Sequence, residues 1–310
     1  MRIVFLGTPA FSVPSLDALA AAGHGVLAVV CQPDRPAGRG HALRVPETKR
    51  WAKGHGVPVL QPEKVRDGRL AAELAPLVPD LLVVVAYGRI LGTDLLTLAP
   101  HGALNVHASL LPKYRGAAPI QWALAEGERE TGVTIMQMDE GLDTGDVLLQ
   151  RALRIAPDDD SAALHARLGA LGGAALVEAL ALVEAGRVVP VRQDPARATL
   201  APILAKEHGR VDWAMPAPRI LDRLRGFSPW PGAWTTLDGK LVKVLAAAVE
   251  VHAPARPPGA AFGVAGRGLG VACGGGTALL VTELQIEGKR RQSALDFLNG
   301  LKRDAFTFGT

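Results

Sequence analysis

Arg2-Ile3-Val4-Phe5-Leu6-Gly7-Thr8-Pro9 is a short apolar run that breaks into a turn, and the stretch after it reads as a helix. The helix starts near Ser12, a suitable cap, with Pro14 in its first turn, Leu16, Leu19 and Ala20 on one face, and Gly23 as its stop. Val26–Cys31 and Leu81–Ala86 repeat the continuous apolar pattern, and Ala103–His107 makes a fourth strand after the turn at Pro100-His101-Gly102. Strands apolar on both faces, alternating with helices, predict an open, mostly parallel Rossmann-like α/β sheet. Two more strands are expected at Gly132–Met138 and Val147–Ile155, joined by a tight loop over residues 139–146. Asp158-Asp159-Asp160-Ser161 then opens an Ala/Leu-rich helix that can run to Gly186 and reads as packing.

The texture changes after residue 188. Residues 189–206 contain three prolines and scattered polar side chains and read as a linker, which divides the chain into 1–188, 189–206 and 207–310. Beyond it, short alternating stretches at Leu241–Leu245, Gly270–Ala272 and Ala278–Leu284 predict a smaller open β-barrel of OB-like type, with a helix over Ala217–Arg225.

The 310 residues are 48% hydrophobic and 21% charged, a composition that buries a core and excludes chain-wide disorder. The longest uninterrupted apolar run reads as six residues, against the ~20 of a membrane span, so no membrane is expected. The amino terminus runs too quickly into its glycine turn for a signal peptide. Two distant cysteines, Cys31 and Cys273, form no disulfide framework or zinc knuckle and suit a reducing cytoplasm. Net charge is +4 but unevenly spread. Residues 34–53 carry six basic and two acidic side chains, residues 54–199 are net −5, and residues 200–310 are net +5. Two basic regions around a less basic centre suit a polyanion held at two places; solvated surface charge explains the same counts.

Gly7-Thr8-Pro9-Ala10-Phe11 has one glycine where a dinucleotide fingerprint needs three, and Pro9 removes a donor, so a dehydrogenase is disfavoured. Asn105 and His107 lie two apart on a strand and share a face, where an amide and an imidazole can grip a developing oxyanion. A polar pair satisfying a loop would look the same. Asp143, in a glycine-flanked loop, could turn back to orient the His107 ring. No nucleophile elbow and no histidine spacing for zinc occurs, so no metal is expected. An Asn/His/Asp set of this kind suits direct acyl transfer to a substrate amine.

Asn105-Val106-His107-Ala108-Ser109-Leu110-Leu111-Pro112, the run Tyr114-Arg115-Gly116-Ala117-Ala118-Pro119-Ile120-Gln121 and Asp139-Glu140-Gly141-Leu142-Asp143-Thr144-Gly145-Asp146 resemble the folate-dependent formyltransferases. The resemblance extends through Gly7-Thr8-Pro9, residues 32–40, residues 83–88, Lys206-Glu207, Val211-Asp212-Trp213 and Pro229-Trp230-Pro231, and so covers essentially the whole chain. It is closest to the branch of the family acting on a charged tRNA. It implies 10-formyltetrahydrofolate as donor and the methionine α-amine of initiator methionyl-tRNA as acceptor; a monomer is expected, in the cytoplasm that the cysteine usage suits. It assigns catalysis to Asn105, His107 and Asp143. It places folate along Ser109, Leu110, Leu111 and Pro112, beside Ala86, Tyr87, Gly88, Ile90 and Leu91, and beside Met138, Asp139 and Leu142. The loop around Arg39, with Arg35, Arg44, Lys49 and Arg50, becomes the reader of the tRNA acceptor end, ordering on the tRNA, and the C-terminal barrel a tRNA-binding unit. A sister formyltransferase acting on an amino sugar-nucleotide would share the catalytic set, and a non-catalytic tRNA-binding module would share the charge.

Overall fold

A computed structural model describes residues 1–37, 42–250, 255–301 and 306–309. The chain divides into two compact units, one of residues 1–119, 130–155 and 163–202, the other of residues 120–129, 156–162 and 203–310.

In chain order the first half runs β1 (Arg2–Gly7), α1 (Val13–Ala21), β2 (Gly25–Val30), β3 (Arg35–Ala37), β4 (Ala42–Arg44), α2 (Glu47–Gly54), β5 (Val59–Leu60) and α3 (Arg69–Leu74). It continues through β6 (Leu81–Val85), α4 (Thr93–Leu96), β7 (Ala103–His107), β8 (Arg115–Gly116), α5 (Pro119–Ala125), β9 (Glu130–Gln137), β10 (Val147–Arg154), α6 (Ser161–Glu184) and β11 (Leu200–Ala201). The main sheet has the order β10-β9-β7-β6-β1-β2-β5. Strands β7, β6, β1, β2 and β5 are parallel, whereas β9 and β10 are antiparallel additions. Burial on both faces explains the unbroken apolar strands: Ile3, Phe5, Leu81 and Val83 are fully buried, as are Val4, Leu6 and Leu82, whose core also takes in Val84 and Tyr87. From β1 the chain winds first toward β2 and later returns to β6 on the other side. The strand order therefore reverses between β1 and β6, the place where open α/β sheets form a ligand crevice.

Two local features depart from the sequence reading, and a third, the expected Ala/Leu-rich helix, follows it. Ser12 makes no side-chain cap; its hydroxyl donates to the carbonyl of Val85 at 2.7 Å and ties the β1–α1 turn to the end of β6. The basic stretch 34–53 is not all loop: β3 and β4 pair as a hairpin and α2 follows, with Thr48, Trp51 and Ala52 buried at helical spacing. Thr48 donates to the carbonyl of Gly7 at 2.8 Å, which fixes α2 to the end of β1. Finally, α6 is 24 residues long and apolar enough, by length and composition, to cross a membrane. Its residues Leu164, Leu168, Leu176 and Leu180, four apart or multiples of four, are all fully buried in the protein.

Residues 189–202, expected as part of a linker, run along the first unit. Val191 and Val147 exchange two backbone hydrogen bonds of 2.8 Å, and β11 pairs in parallel with β8.

The second unit contains α7 (Ala217–Gly226), β12 (Ala233–Leu237), β13 (Lys240–Glu250), β14 (Ala261–Val264), β15 (Gly268–Ala272), β16 (Ala278–Ile286), β17 (Gln292–Ser293) and α8 (Ala294–Leu301). Its antiparallel sheet has the order β12-β13-β16-β15-β14, with β17 added on β16. Ile220 and Leu224 of α7 and Phe297 of α8 pack with Val242, Leu269, Val271, Leu279 and Val281 into one core. Two excursions from the first half of the chain join this unit. Arg219 pairs with Glu126 at 2.8 Å, and the Arg225 guanidinium donates to the carbonyls of Pro157 and Asp159 at 2.9 and 3.1 Å.

Candidate active site

Strand β7 carries Asn105 and His107 on the same face, as period-two geometry requires, between β6 and β9. Asp143 reaches them from the loop between β9 and β10. Its Oδ2 lies 3.6 Å from His107 Nδ1, and Asn105 Nδ2 lies 3.4 Å from its Oδ1. The three candidate catalytic side chains thus converge. His107 is buried, with Nε2 held 2.9 Å from the carbonyl of Tyr114. A carbonyl only accepts, so Nε2 is the protonated donor there, and Nδ1 is the ring nitrogen that faces Asp143.

The Asp143 loop is shaped by its own side chains. The Asp139 carboxylate accepts from the Thr144 hydroxyl at 2.7 and 2.9 Å and from the Gly141 N–H at 3.0 Å. At Gly145 a Cβ would lie 1.8 Å from the carbonyl oxygen of Gln137, so the return into β10 needs glycine. Asp143 itself adopts φ +52, a left-handed conformation that costs a non-glycine residue about 1 kcal/mol or more and persists only where neighbours over-determine it. Its carboxylate Oδ2 accepts the Gly116 N–H at 2.8 Å, and its carbonyl accepts Gln193 Nε2 at 2.9 Å.

The Ser109–Pro112 bend is held from β9 and β10. Thr134 donates to the Ser109 carbonyl at 2.6 Å, the Leu111 N–H donates to Thr134 at 3.1 Å, and Gln150 donates to the Leu111 carbonyl at 2.8 Å. Ser109 is fully buried and its hydroxyl donates to the Lys113 carbonyl at 2.6 Å, so it shapes the bend and offers no free hydroxyl. Leu111 is buried, while Leu110 and Pro112 are half-buried.

Of the residues expected near folate after β6, Tyr87 and Leu91 belong to the core. Burial pushes the Tyr87 phenol up to about 12. Ala86 and Gly88 are exposed, and so is Ile90 at 69%. Across from them Leu142 is 60% exposed, Asp139 is exposed and Met138 is half-buried. A 2.7 Å hydrogen bond from Thr93 to Glu140 joins these two loops.

A cavity of about 520 Å³ opens at the crevice between β1 and β6, lined by Thr8, Gln32, Arg35, Arg44, Gly88 and Arg89 among others. Arg35 and Arg44 face each other across the β3–β4 hairpin and are exposed. Arg89 is fixed by Gln32 Oε1 at 3.1 Å and by the Glu63 carbonyl at 3.1 Å. Arg39 lies outside the described residues. Lys49, expected beside the tRNA, gives its ammonium to Asp34 at 2.7 Å and Gln61 at 2.6 Å. The hydrogen bond from Lys49, followed by that from Gln61, holds the Asp34 carboxyl below its ordinary value. Arg50 is exposed and paired with Glu47 one turn away at 2.9 Å. Among the described residues no group of three or more His, Cys, Asp or Glu side chains gathers as a metal site. Cys31 and Cys273 are buried free thiols, each raised to about 11 by burial.

Sequence reasoning missed Gln193, Thr199, Thr134 and Gln150, which hold the site together. No local signal marks them: Gln193 bonds to partners 50 and 78 residues away.

Residues 1–180 match the sequence profile described as formyl transferase, and residues 203–302 match the one described as formyl transferase, C-terminal domain. A methionyl-tRNA formyltransferase of Anaeromyxobacter dehalogenans is 72% identical over 312 residues, spanning 100% of both chains. Among solved structures, HypX from Aquifex aeolicus in complex with tetrahydrofolic acid aligns with a TM-score of 0.65 at 21% identity, over 98% of this chain and 48% of that one. An N-formyltransferase from Helicobacter canadensis, in complex with folinic acid and dTDP-3-aminofucose, aligns with a TM-score of 0.67 at 15% identity, over 91% and 98%. The structural likenesses concern the fold alone, whereas both profiles and the full-length relative carry the conclusion that this chain belongs to the formyl transferase family.

Proposed function

We propose that this enzyme moves a formyl group from 10-formyltetrahydrofolate to the α-amine of methionine on initiator tRNA, acting as a monomer in the cytoplasm. The observation that carries this reading is the convergence of Asn105, His107 and Asp143, with Asp143 3.6 Å from His107, in a chain whose full-length relative bears that activity in its name.

The formylated folate, when bound, supplies the formyl carbon and, on departure, a nitrogen that takes up a proton. Leu142, next to Asp143 in the chain, exposes aliphatic surface that suits such a ligand, and Ile90 exposes more on the loop after β6. Asn105 Nδ2 donates to the negative charge that builds on the formyl oxygen as the amine attacks, and the positive charge of the His107 ring stabilises it through space. One preorganised donor of this kind is worth about 3 kcal/mol. Asp143 Oδ2 faces His107 Nδ1, supports positive charge on the ring and relays the proton released by the amine to the departing folate nitrogen, which leaves the carboxylate regenerated. In the imidazolium form both ring nitrogens would have acceptors, the Tyr114 carbonyl and the Asp143 carboxylate.

Arg35, Arg44 and Arg89 around the crevice supply cationic groups for the acceptor-end phosphates. The net +5 of residues 200–310 suits a second hold on the tRNA backbone.

Incubation with methionyl-tRNA and 10-formyltetrahydrofolate should give formylmethionyl-tRNA. Formylation of an amino sugar-nucleotide in preference to the tRNA would replace this reading with the sister activity. Tight tRNA binding without turnover would reduce the protein to a binding module.

A further inference from the structure

The segment before β11 does more than connect. Gln193 is buried, and its carboxamide is fully used: Oε1 accepts from Arg115 Nε at 3.1 Å and Nη2 at 2.7 Å, while Nε2 donates to the carbonyls of Asp143 at 2.9 Å and Gly145 at 2.7 Å. The partners fix the amide orientation, because the reverse would set its oxygen against two carbonyls and its NH₂ against a guanidinium. Arg115 is buried too, and the next residue, Gly116, gives the N–H that holds the Asp143 carboxylate at 2.8 Å. The same segment reaches the histidine. Thr199 accepts the Tyr114 N–H on its hydroxyl and the Arg115 N–H on its carbonyl, both at 2.8 Å, and Tyr114 supplies the carbonyl that holds His107 Nε2.

We infer that Gln193, locked by Arg115, is a positioning residue that holds the Asp143 loop in its left-handed turn and so sets the alignment of Asp143 on His107. The inference rests on the catalytic reading of that pair. Two donors on successive carbonyl turns, from a side chain that cannot rotate away, are what a φ of +52 at a non-glycine residue needs to persist. A buried glutamine whose function was only to pair Arg115 would have no need of its NH₂ group.

Gln193→Glu separates the two roles. It keeps the size and the acceptor for Arg115 but presents an oxygen to the Asp143 and Gly145 carbonyls. Positioning predicts a kcat loss of about 10- to 100-fold, in line with the effect of ~1 Å misplacement, with KM for both substrates within about twofold and the melting temperature largely kept. Gln193→Ala should lose kcat to a similar extent. In an Asp143→Asn background, Gln193→Glu should lower kcat no further, because the residue acts through Asp143. Wild-type kcat in Gln193→Glu with a slow Asp143→Asn enzyme would overturn the positioning role and leave the catalytic reading standing. Wild-type kcat in Asp143→Asn would instead remove the catalytic reading. Variants at Gln193 that melt below the assay temperature would mark it as a folding residue and overturn the inference as well.

Discussion

Replacing Gly116 by alanine tests how the Asp143 carboxylate is held. Gly116 sits at φ +120, a region that L side chains rarely adopt, and an added Cβ would lie 2.7 Å from the Ala201 carbonyl oxygen. Ordinary contact begins near 3.4 Å, so β8 and β11 must part by about 0.7 Å. The Gly116 N–H now donates to Asp143 Oδ2 at 2.8 Å, and a displacement of that size away from the loop stretches the bond to the outer limit of hydrogen bonding and weakens it. A hydrogen bond to a charged group is worth roughly 1.5–3 kcal/mol, and the positive φ adds a conformational cost of about 1–3 kcal/mol. The first quantity bears on the reaction and the second on stability. Gly116→Ala should therefore lower kcat by about 10- to 100-fold at nearly unchanged KM for tRNA and folate, with a melting temperature several degrees lower. Steady-state kinetics with charged tRNA below the melting transition, beside a calorimetric melt, give both numbers. If the melt drops as expected and kcat stays within twofold of wild type, the Gly116 contact has no part in orienting Asp143.

Asn105→Ala removes an oxyanion donor and should lower kcat by about 100- to 1000-fold while tRNA affinity holds; a loss confined to KM would assign Asn105 to binding. Arg44→Ala should raise KM for charged tRNA and flatten the log–log salt dependence of tRNA binding by about one unit, and an unchanged slope would place Arg44 off the phosphates. The depressed Asp34 carboxyl contributes stability that is present above the ordinary carboxylate range and fades as pH falls through its folded value. Asp34→Asn should therefore melt lower than wild type at neutral pH, with the gap closing below about pH 4; a gap that persists into strong acid would mean that the Lys49 pairing is not its source.

Where the sequence is legible, a short-range period carries the information. β1 and β6 are readable because burial on both faces demands unbroken apolar runs, and on β7 Asn105 and His107 pair because strand residues two apart share a face. The loop of Asp143 is marked by glycines that answer real crowding, as at Gly145. Long-range contacts have no such period. Lys49 has the same charge as Arg44 in the chain, yet Lys49 is paired with Asp34 while Arg44 lines a cavity, and only the fold distinguishes them.

Residues 189–202 show the limit most clearly. Prolines and scattered polar groups make this stretch look like a linker because it lacks an apolar face to bury. That polarity has a use that local patterns do not show. A loop as glycine-rich as residues 139–146, and a bend such as residues 109–116, turn too sharply to satisfy all their backbone groups with a regular ladder. Their free carbonyls and N–H groups must find side chains and backbone from elsewhere, and Gln193, Thr199 and the short β11 provide them. A polar segment with few internal bonds is therefore well suited to bracing a catalytic loop, since its donors and acceptors are not committed to a helix or sheet of its own.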